Sequence, residues 1–299
     1  MIDPAARQRL VMRFGPWANE WCDELPARID RISRRWGITI GHPVSRGSTS
    51  CVLFCERSGG RLAVLKLSPD PGLISEEAAA LRAWQSSGRV PEVLGYDEEN
   101  GALLLEAIQP GTVLADTQIA PHLDEVAGLV RDLHATGEEA IEDFPSLIEG
   151  VEFMFTFYRE RLRRHDISSP VLEDLLERSL VVAREMAARP GRRVLLHGDL
   201  HARNVLDAGE DRGLVAIDPR ACVGDPAFDL IDWVLYDSLD RRTLMRRAER
   251  LSGRAGVDSS NLWRWCGCTA VLVAISQLIR SDVPTEATRT LLAFADDAV

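Results

Sequence analysis

A cluster of polar side chains directly follows an apolar run in the stretch Leu195–Leu206, LLHGDLHARNVL, and constrains the fold more than any other feature. Within eight positions the cluster contains His197, Asp199, His201, Arg203 and Asn204. A second apolar run, GLVAI, ends directly before Asp218, fourteen positions after Asn204. Two short strands lying side by side would bring the polar residues at their ends together. The sequence therefore predicts that Asp199, Asn204 and Asp218 face one cavity.

The residue types in this set suit phosphoryl transfer. In such sites an Asp orients and deprotonates an attacking hydroxyl, while an Asn and a second Asp hold magnesium against a triphosphate. We therefore predict Asp199 as the catalytic base and Asn204 and Asp218 as ligands of Mg2+. The segment DLHARN also matches the D-L-x-x-x-N spacing of a kinase catalytic loop.

A single lysine supports the same chemistry. Lys66 is the only lysine among 35 basic residues, and it lies near the end of the strand-like run RLAVLKL. A compact ammonium acts as a point charge on phosphate oxygens, where a planar guanidinium is bulkier. A helix glutamate should hold this lysine. We favour Glu77 over Glu76 because Leu81 and Trp84 then follow at i+4 and i+7 on an inward face.

The remaining cofactor contacts are predicted from position. Ser48, Thr49 and Ser50 lie in SRGSTSCVL, where small residues let backbone N–H groups approach phosphate, although an ordinary hairpin turn remains the alternative. The backbone of Glu106, Ala107 and Ile108, at the end of a strand, is the candidate site for adenine. The sequence thus predicts ATP and Mg2+ as cofactors, with Lys66 and the acids acting on one complex between two lobes.

Hydrophobic periodicity predicts an α+β protein in two parts. The first ~36 residues have a helical pattern with a Trp stripe, and a β-β-β-α-β-β order follows, with a helix N-cap expected at Ser75. After Gln109–Thr112 helical patterns dominate. We expect an N-terminal lobe at 1–108, with a helical extension at 1–37, a five-stranded sheet and one helix, and a helical C-terminal lobe at 109–299. Its predicted helices are 117–136, 147–164, 170–189, 227–237, 240–252 and 259–281.

The composition predicts a cytoplasmic globular protein. The 299 residues are 45% hydrophobic, enough for a substantial core. No uninterrupted apolar stretch reaches the ~18 residues that cross a bilayer, and the N-terminus does not resemble a signal peptide. The net charge of −11 disfavours nucleic acid and anionic membranes as partners and permits a cationic small molecule. The six scattered cysteines are expected to be reduced and buried.

A zinc site is the main competing interpretation of the polar cluster. His197, Asp199 and His201 are three possible ligands at close spacing, as in a metallohydrolase. No further Cys/His cluster completes a tetrahedral set, so we expect His197 to be a packed structural residue. Asp225, which directly precedes Pro226, is expected to cap a helix, and Asp229 to anchor the loop by hydrogen bonds.

Five segments resemble the aminoglycoside phosphotransferase family of small-molecule kinases: VLK, EEAAALRAW, LLEAI, HGDLHARNVL and AIDPRACVGDPAFDL. The last segment and the Trp-rich N-terminal helix are most similar to the aminoglycoside/hydroxyurea resistance kinase branch, which includes streptomycin 6-phosphotransferases. The resemblance implies a protein-kinase-like two-lobe fold and ATP- and magnesium-dependent transfer of the γ-phosphoryl group to a hydroxyl. By motif match it gives Asp199, Asn204, Asp218, Lys66 and Glu77 the same roles.

The acceptor is the least constrained part of the prediction. Residues 197–240 contain ten acids against three arginines, which favours a polycationic acceptor such as a streptomycin-like aminoglycoside. A metabolic kinase of the same fold, with hydroxyurea, a sugar or an amino alcohol as acceptor, is the alternative. A nucleotide-binding pseudokinase is disfavoured, because Lys66, Asp199, Asn204 and Asp218 are all present.

Overall fold

The structure is a computed structural model that describes residues 3–44, 49–119, 122–167, 169–237, 240–281 and 283–299. The chain forms two compact units. The first comprises Met1–Thr112 and Asp207–Asp211, and the second Val113–Leu206 and Arg212–Val299.

The first unit begins with two helices, α1 (Pro4–Phe14) and α2 (Ala18–Trp36). The sequence predicted one helical region, but Gly15, at a φ of +93°, breaks it in two. In α2 a stripe of buried residues includes Trp21, Leu25 and Ile32. These residues belong to the same apolar core as the inner face of the sheet, and Trp36 packs against that core, whereas Trp17 is 51% exposed.

Five antiparallel strands follow in the order β1-β2-β3-β5-β4. They are β1 (Ile38–Pro43), β2 (Cys51–Arg57), β3 (Arg61–Leu67), β4 (Val93–Asp97) and β5 (Ala102–Glu106). Lys66 lies on the central strand β3, opposite Val52 on β2 and Leu103 on β5. Pairing on both sides fixes the position of its backbone.

Helix α3 (Pro71–Ala83) lies between β3 and β4 and begins earlier than predicted. The side chain of Asp70 caps it by accepting a hydrogen bond from the Gly72 N–H at 2.9 Å, and Pro71 occupies the first turn. The predicted N-cap at Ser75 is therefore wrong, because an Asp-Pro pair upstream starts the helix. Glu77 lies on its buried face.

The second unit is mainly helical, and the predicted α+β class is confirmed. Its helices are α4 (Leu123–His134), α5 (Leu147–Arg164), α6 (Pro170–Ala188), α7 (Ile231–Leu235), α8 (Arg241–Ala255), α9 (Ser259–Arg280) and α10 (Glu286–Ala298). The short strands are β6 (Thr112–Val113), β7 (Val194–Leu196), β8 (Val205–Asp207), β9 (Leu214–Ala216) and β10 (Cys222–Gly224). Strand β8 pairs with β9, and β7 pairs antiparallel with β10.

Helix α9 forms the centre of the second unit. Among the described residues it is the one helix with the length and apolarity to cross a membrane, yet 61% of its most apolar window is buried in the fold. Helix α10 packs along it, and a Cβ added at Gly267 would lie 2.4 Å from the Ala298 Cβ. The sequence prediction omitted α10, which buries Thr288, Leu291, Phe294 and Ala295.

The central strand β3 offers a matched test of the first core. Leu65 is fully buried, whereas Leu62 on the same strand is 50% exposed. We expect Leu65→Ala to lower the free energy of unfolding by about 2–5 kcal/mol through lost burial and a cavity. Leu62→Ala should change it by about 0.5 kcal/mol or less. Urea denaturation measures both, and equal effects would contradict this core assignment.

Candidate active site

The first unit holds the predicted lysine–glutamate pair. The Lys66 ammonium donates hydrogen bonds to both carboxylate oxygens of Glu77, at 2.7 and 2.6 Å. Both residues are buried, with 5% and 8% of their surface exposed. Glu76, the competing partner, is exposed. The pair fixes a compact positive group at the end of β3 in surroundings where water screens its charge little.

The other predicted cofactor residues of this unit lie, along the chain, directly before β2 and at the end of β5. Ser48 lies outside the described residues. The Thr49 carbonyl accepts a hydrogen bond from the Ser68 hydroxyl at 2.9 Å, and Ser50 is buried directly before β2. Both residues are therefore held against the body of the unit.

The predicted adenine segment continues from β5. The Glu106 N–H donates to the Glu92 carbonyl at 2.9 Å, which ties the end of the strand to the preceding segment. Ala107 and Ile108 follow the last paired residue of β5, and both are buried. Their backbone groups thus leave the sheet ladder at a largely apolar place.

In the second unit, one buried carboxylate organises the loop after β7. Asp229 accepts hydrogen bonds from the backbone N–H groups of His197, at 2.8 Å, and Gly198, at 2.9 Å. It also accepts from the His134 ring Nε2 on α4, at 2.9 Å. Burial alone would raise the pKa of Asp229, but these donors and the nearby imidazoles outweigh burial and lower it. The loop is therefore held by an ionised carboxylate.

Gly198 is required at its position by backbone geometry. Its φ is +76°, and an added Cβ would lie 2.1 Å from the Arg220 carbonyl oxygen. The neighbouring His197 is fully buried, and its Nε2 donates to the Ile217 carbonyl at 3.0 Å. Its Nδ1 accepts from the Asp199 N–H at 3.4 Å. Burial lowers the pKa of His197 to about 4, so the ring is neutral and structural, as the sequence indicated.

The three predicted residues of the polar cluster lie close together. The Asn204 side-chain amide donates to the Asp199 carbonyl at 2.9 Å and to the Asp199 carboxylate at 3.2 Å. The Ile217 N–H donates to the Asn204 carbonyl at 2.9 Å, which places Asp218 beside this loop. Asp218 has a φ of +57°, a backbone conformation that costs energy outside glycine and recurs at functional sites.

The Asp199 carboxylate lies in a protein-lined cavity but remains accessible. Although 44% of its side chain is exposed through the cavity, the surrounding protein raises its pKa. The His201 and Arg220 charges and the Asn204 amide oppose this shift. His201 Nε2 lies 3.7 Å from the carboxylate. An accessible carboxylate with increased basicity suits proton abstraction.

The donor set fits magnesium better than zinc. The Asn204 amide nitrogen is held by Asp199, which leaves its side-chain oxygen, together with the Asp218 carboxylate, as hard ligands of the kind Mg2+ prefers. Over the described ranges, no group of three His, Cys, Asp or Glu residues is arranged to hold a metal ion. The zinc interpretation also loses His197, because both of its ring nitrogens face backbone groups.

A cavity of about 260 Å³ opens beside Asp199 within the second unit. Its wall includes Tyr158 of α5 and residues of α9, and it also includes Asp232 of α7. Sequence reasoning named neither Tyr158 nor His134 as part of the site. Neither residue carries a local motif: Tyr158 is one of several aromatics on α5, and His134 lies in an apolar helix pattern.

The sequence is similar to that of known small-molecule kinases. The sequence pattern of the family described as aminoglycoside/hydroxyurea antibiotic resistance kinase matches residues 35–279. A hydroxyurea phosphotransferase of Kitasatospora aureofaciens is 33% identical over 266 residues, which cover 88% of this chain and 76% of the relative. A streptomycin 6-kinase of Streptomyces griseus is 30% identical over 271 residues, which cover 84% and 82%.

The fold is also similar to that of solved kinases. Aminoglycoside phosphotransferase APH(4)-Ia, in complex with ADP and hygromycin B, superimposes with a TM-score of 0.58. The two chains share 17% identity, and the match covers 90% of this chain and 96% of the other. At this identity the likeness concerns the fold alone, and it agrees with an antiparallel sheet followed by a helical remainder.

The Asp229 anchor can be tested by Asp229→Asn. The asparagine side chain would point an N–H group at the backbone and His134 ring N–H groups from which the buried carboxylate now accepts hydrogen bonds. We expect the free energy of unfolding to fall by about 3 kcal/mol in urea denaturation. Asp30→Asn makes the same chemical change on the exposed surface of α2 and should stay within about 0.5 kcal/mol of wild type. Equal stability of the two variants would show that Asp229 does not hold the loop.

Proposed function

Because the chain belongs to the aminoglycoside/hydroxyurea antibiotic resistance kinase family and is a phosphotransferase, we propose that it transfers the γ-phosphoryl group of ATP, with Mg2+, to a hydroxyl of a streptomycin-like aminoglycoside. The observation that carries this proposal is the accessible Asp199 carboxylate, held beside Asn204 and open to a cavity. We expect the reaction to take place in the cytoplasm, where ATP is available, and to confer resistance.

In this proposal Asp199 positions the acceptor hydroxyl and accepts its proton. The Asn204 amide orients the carboxylate, and Asp229 fixes the backbone that precedes it. Asn204 and Asp218 would hold magnesium, which when bound supplies positive charge against the triphosphate. In this scheme Asp199 orients the hydroxyl and removes its proton, while Asn204 and Asp218 retain the metal.

The residues of the first unit would bind the nucleotide. Lys66 contributes the positive charge for the α- and β-phosphates, and Glu77 keeps its ammonium in place. Ser48, Thr49 and Ser50 would contribute hydroxyl and backbone donors to the phosphates. The backbone at Glu106, Ala107 and Ile108 is our candidate for hydrogen bonds to adenine.

A streptomycin-like acceptor has two lines of support. Streptomycin 6-kinase is a relative at 30% identity over most of both chains. The acidic excess of residues 197–240 also favours a cation. Hydroxyurea is the second candidate, because the hydroxyurea phosphotransferase is 33% identical to this chain. The two acceptors differ in charge and size, so one assay with both compounds distinguishes them.

The proposal is tested by acceptor-dependent ADP release with Mg-ATP, comparing wild type with Asp199→Asn. An amide cannot accept the hydroxyl proton, so we expect kcat to fall by about 10²–10⁴-fold. Asp30→Asn, on the exposed surface of α2, should keep the wild-type rate. An unchanged kcat in Asp199→Asn would remove Asp199 from its role. Absence of turnover with every acceptor in wild type would refute the proposed reaction.

The nucleotide role of Lys66 is tested by Lys66→Arg. The guanidinium keeps the charge but is larger and planar, and the site around Lys66 and Glu77 is buried. We expect the KM for Mg-ATP to rise by about tenfold or more, with the KM for the acceptor changed less. Arg61→Lys, on the exposed end of the same strand, is the control. A wild-type KM for Mg-ATP in Lys66→Arg would contradict the predicted phosphate contact.

A further inference from the structure

The cavity beside Asp199 combines apolar walls with a few acids. Aromatic and aliphatic side chains from α5, α7, α9 and the short 3-10 helix Pro226–Leu230 form its walls: Tyr158, Phe228, Ile231, Leu272 and Val273. Three acidic residues also line it: Asp199, Asp229 and Asp232. A mostly apolar pocket with few polar groups is typical of a small-molecule site, in which the polar groups fix the orientation of the ligand.

Two of the three carboxylates are already engaged within the protein. Asp229 accepts two backbone N–H groups and the His134 ring. Asp199 accepts from Asn204 and, in the proposed function, meets the acceptor hydroxyl. These bonds define the structural and chemical roles of both residues. The third carboxylate, that of Asp232, has no such hydrogen-bond partner among the described residues.

Asp232 has an accessible side chain to which no other described group of the fold forms a hydrogen bond or ion pair. Over the described ranges its carboxylate accepts no hydrogen bond and forms no ion pair, although the residue is exposed and lines the cavity. The charged groups that face it are His201, Asp199 and Asp229. The surrounding protein, as the largest cause, and the charges of Asp199 and Asp229 together raise the pKa of Asp232 to about 6, although the His201 charge opposes this shift.

We propose that Asp232 binds a cationic nitrogen group of the acceptor, a guanidinium or an ammonium, and so determines acceptor specificity. The inference rests on the proposed function, since it places the acceptor in the cavity beside Asp199. A cation at this carboxylate would satisfy its hydrogen-bonding capacity and relieve repulsion from the two neighbouring acids. The Tyr158 and Phe228 rings add wall surfaces that also accommodate a cation.

The size of the cavity limits which part of the acceptor it encloses. Pockets that bury a whole drug-sized ligand measure roughly 300–1,000 Å³, whereas this cavity measures about 260 Å³. It therefore holds about one ring with its substituents. We infer that the ring with the reacting hydroxyl also carries the cation, so that Asp199 and Asp232 contact the same ring.

The test compares steady-state kinetics of Asp232→Asn, Asp232→Glu and Asp30→Asn with streptomycin as acceptor. Loss of a charge-assisted contact should raise the KM for streptomycin by about 10- to 100-fold in Asp232→Asn, with a smaller change in kcat. Asp232→Glu restores the charge and should recover most of the affinity. Asp30→Asn removes one acid from the exposed surface of α2 and should match wild type.

Hydroxyurea and pH provide readouts that a merely structural role would not move. Hydroxyurea is neutral, so its KM should be equal in wild type and Asp232→Asn. Between pH 7.5 and 5.5 protonation discharges Asp232, so the KM for streptomycin should rise in wild type and less in Asp232→Asn. An unchanged KM for streptomycin in Asp232→Asn, or an equal rise for both acceptors, would overturn the assignment.

Calorimetry separates this inference from the proposed reaction. Streptomycin is titrated into wild type and into Asp232→Asn without nucleotide. Weaker binding to the variant, even in the absence of turnover, would support the cation site while refuting the reaction. Equal binding to both proteins, or no binding to wild type, would overturn the cation site whatever the outcome of the ADP assay.

Discussion

The second unit depends on one buried carboxylate. Asp229 joins α4, through His134, to the backbone at the end of β7. Burial of an unpaired carboxylate would be costly, so the donors that surround Asp229 are a condition for this packing. Each of them is thereby fixed in turn. The loop with Asp199 begins at this network, and hydrogen bonds within the loop, from Asn204 to Asp199 and from the Asp199 N–H to His197, complete its geometry.

Three aspartates near this point have different roles because their neighbours differ. Asp229 is ionised by its donors and anchors the backbone. Asp199 is oriented by Asn204 and opens to the cavity. Asp232 lines the same cavity without a partner in the described part of the fold, and this suits a ligand cation. Residue type alone distinguishes none of these roles, since burial and hydrogen-bond partners separate them.

In the first unit, too, a buried charge is stabilised by a partner, since Lys66 pairs with Glu77. Lys66 is fixed by the pairing of β3 with both neighbouring strands, and Glu77 by the buried face of α3. Neither charge would be stable alone in this position. The pair therefore preserves a single ammonium in a defined place. Because the other basic residues counted with it are all arginines, the lysine at position 66 can be recognised from the sequence alone.

The sequence by itself determined the α+β class, the partner of Lys66 and the grouping of Asp199, Asn204 and Asp218. These features rest on hydrophobic periodicity and on separations of at most fourteen residues along the chain, which adjacent strands or a strand and the next helix can bridge. Local sequence signals misplaced the start of α3, and they did not predict α10.

Only the tertiary structure decided which side chains complete the site. His134 and Asp229 are 95 positions apart, and Tyr158 and Asp232 come from separate helices. No periodicity or motif encodes such contacts, because packing of distant segments creates them. The same packing decided that Asp232 faces a cavity rather than solvent at large, which no count of acids could have shown.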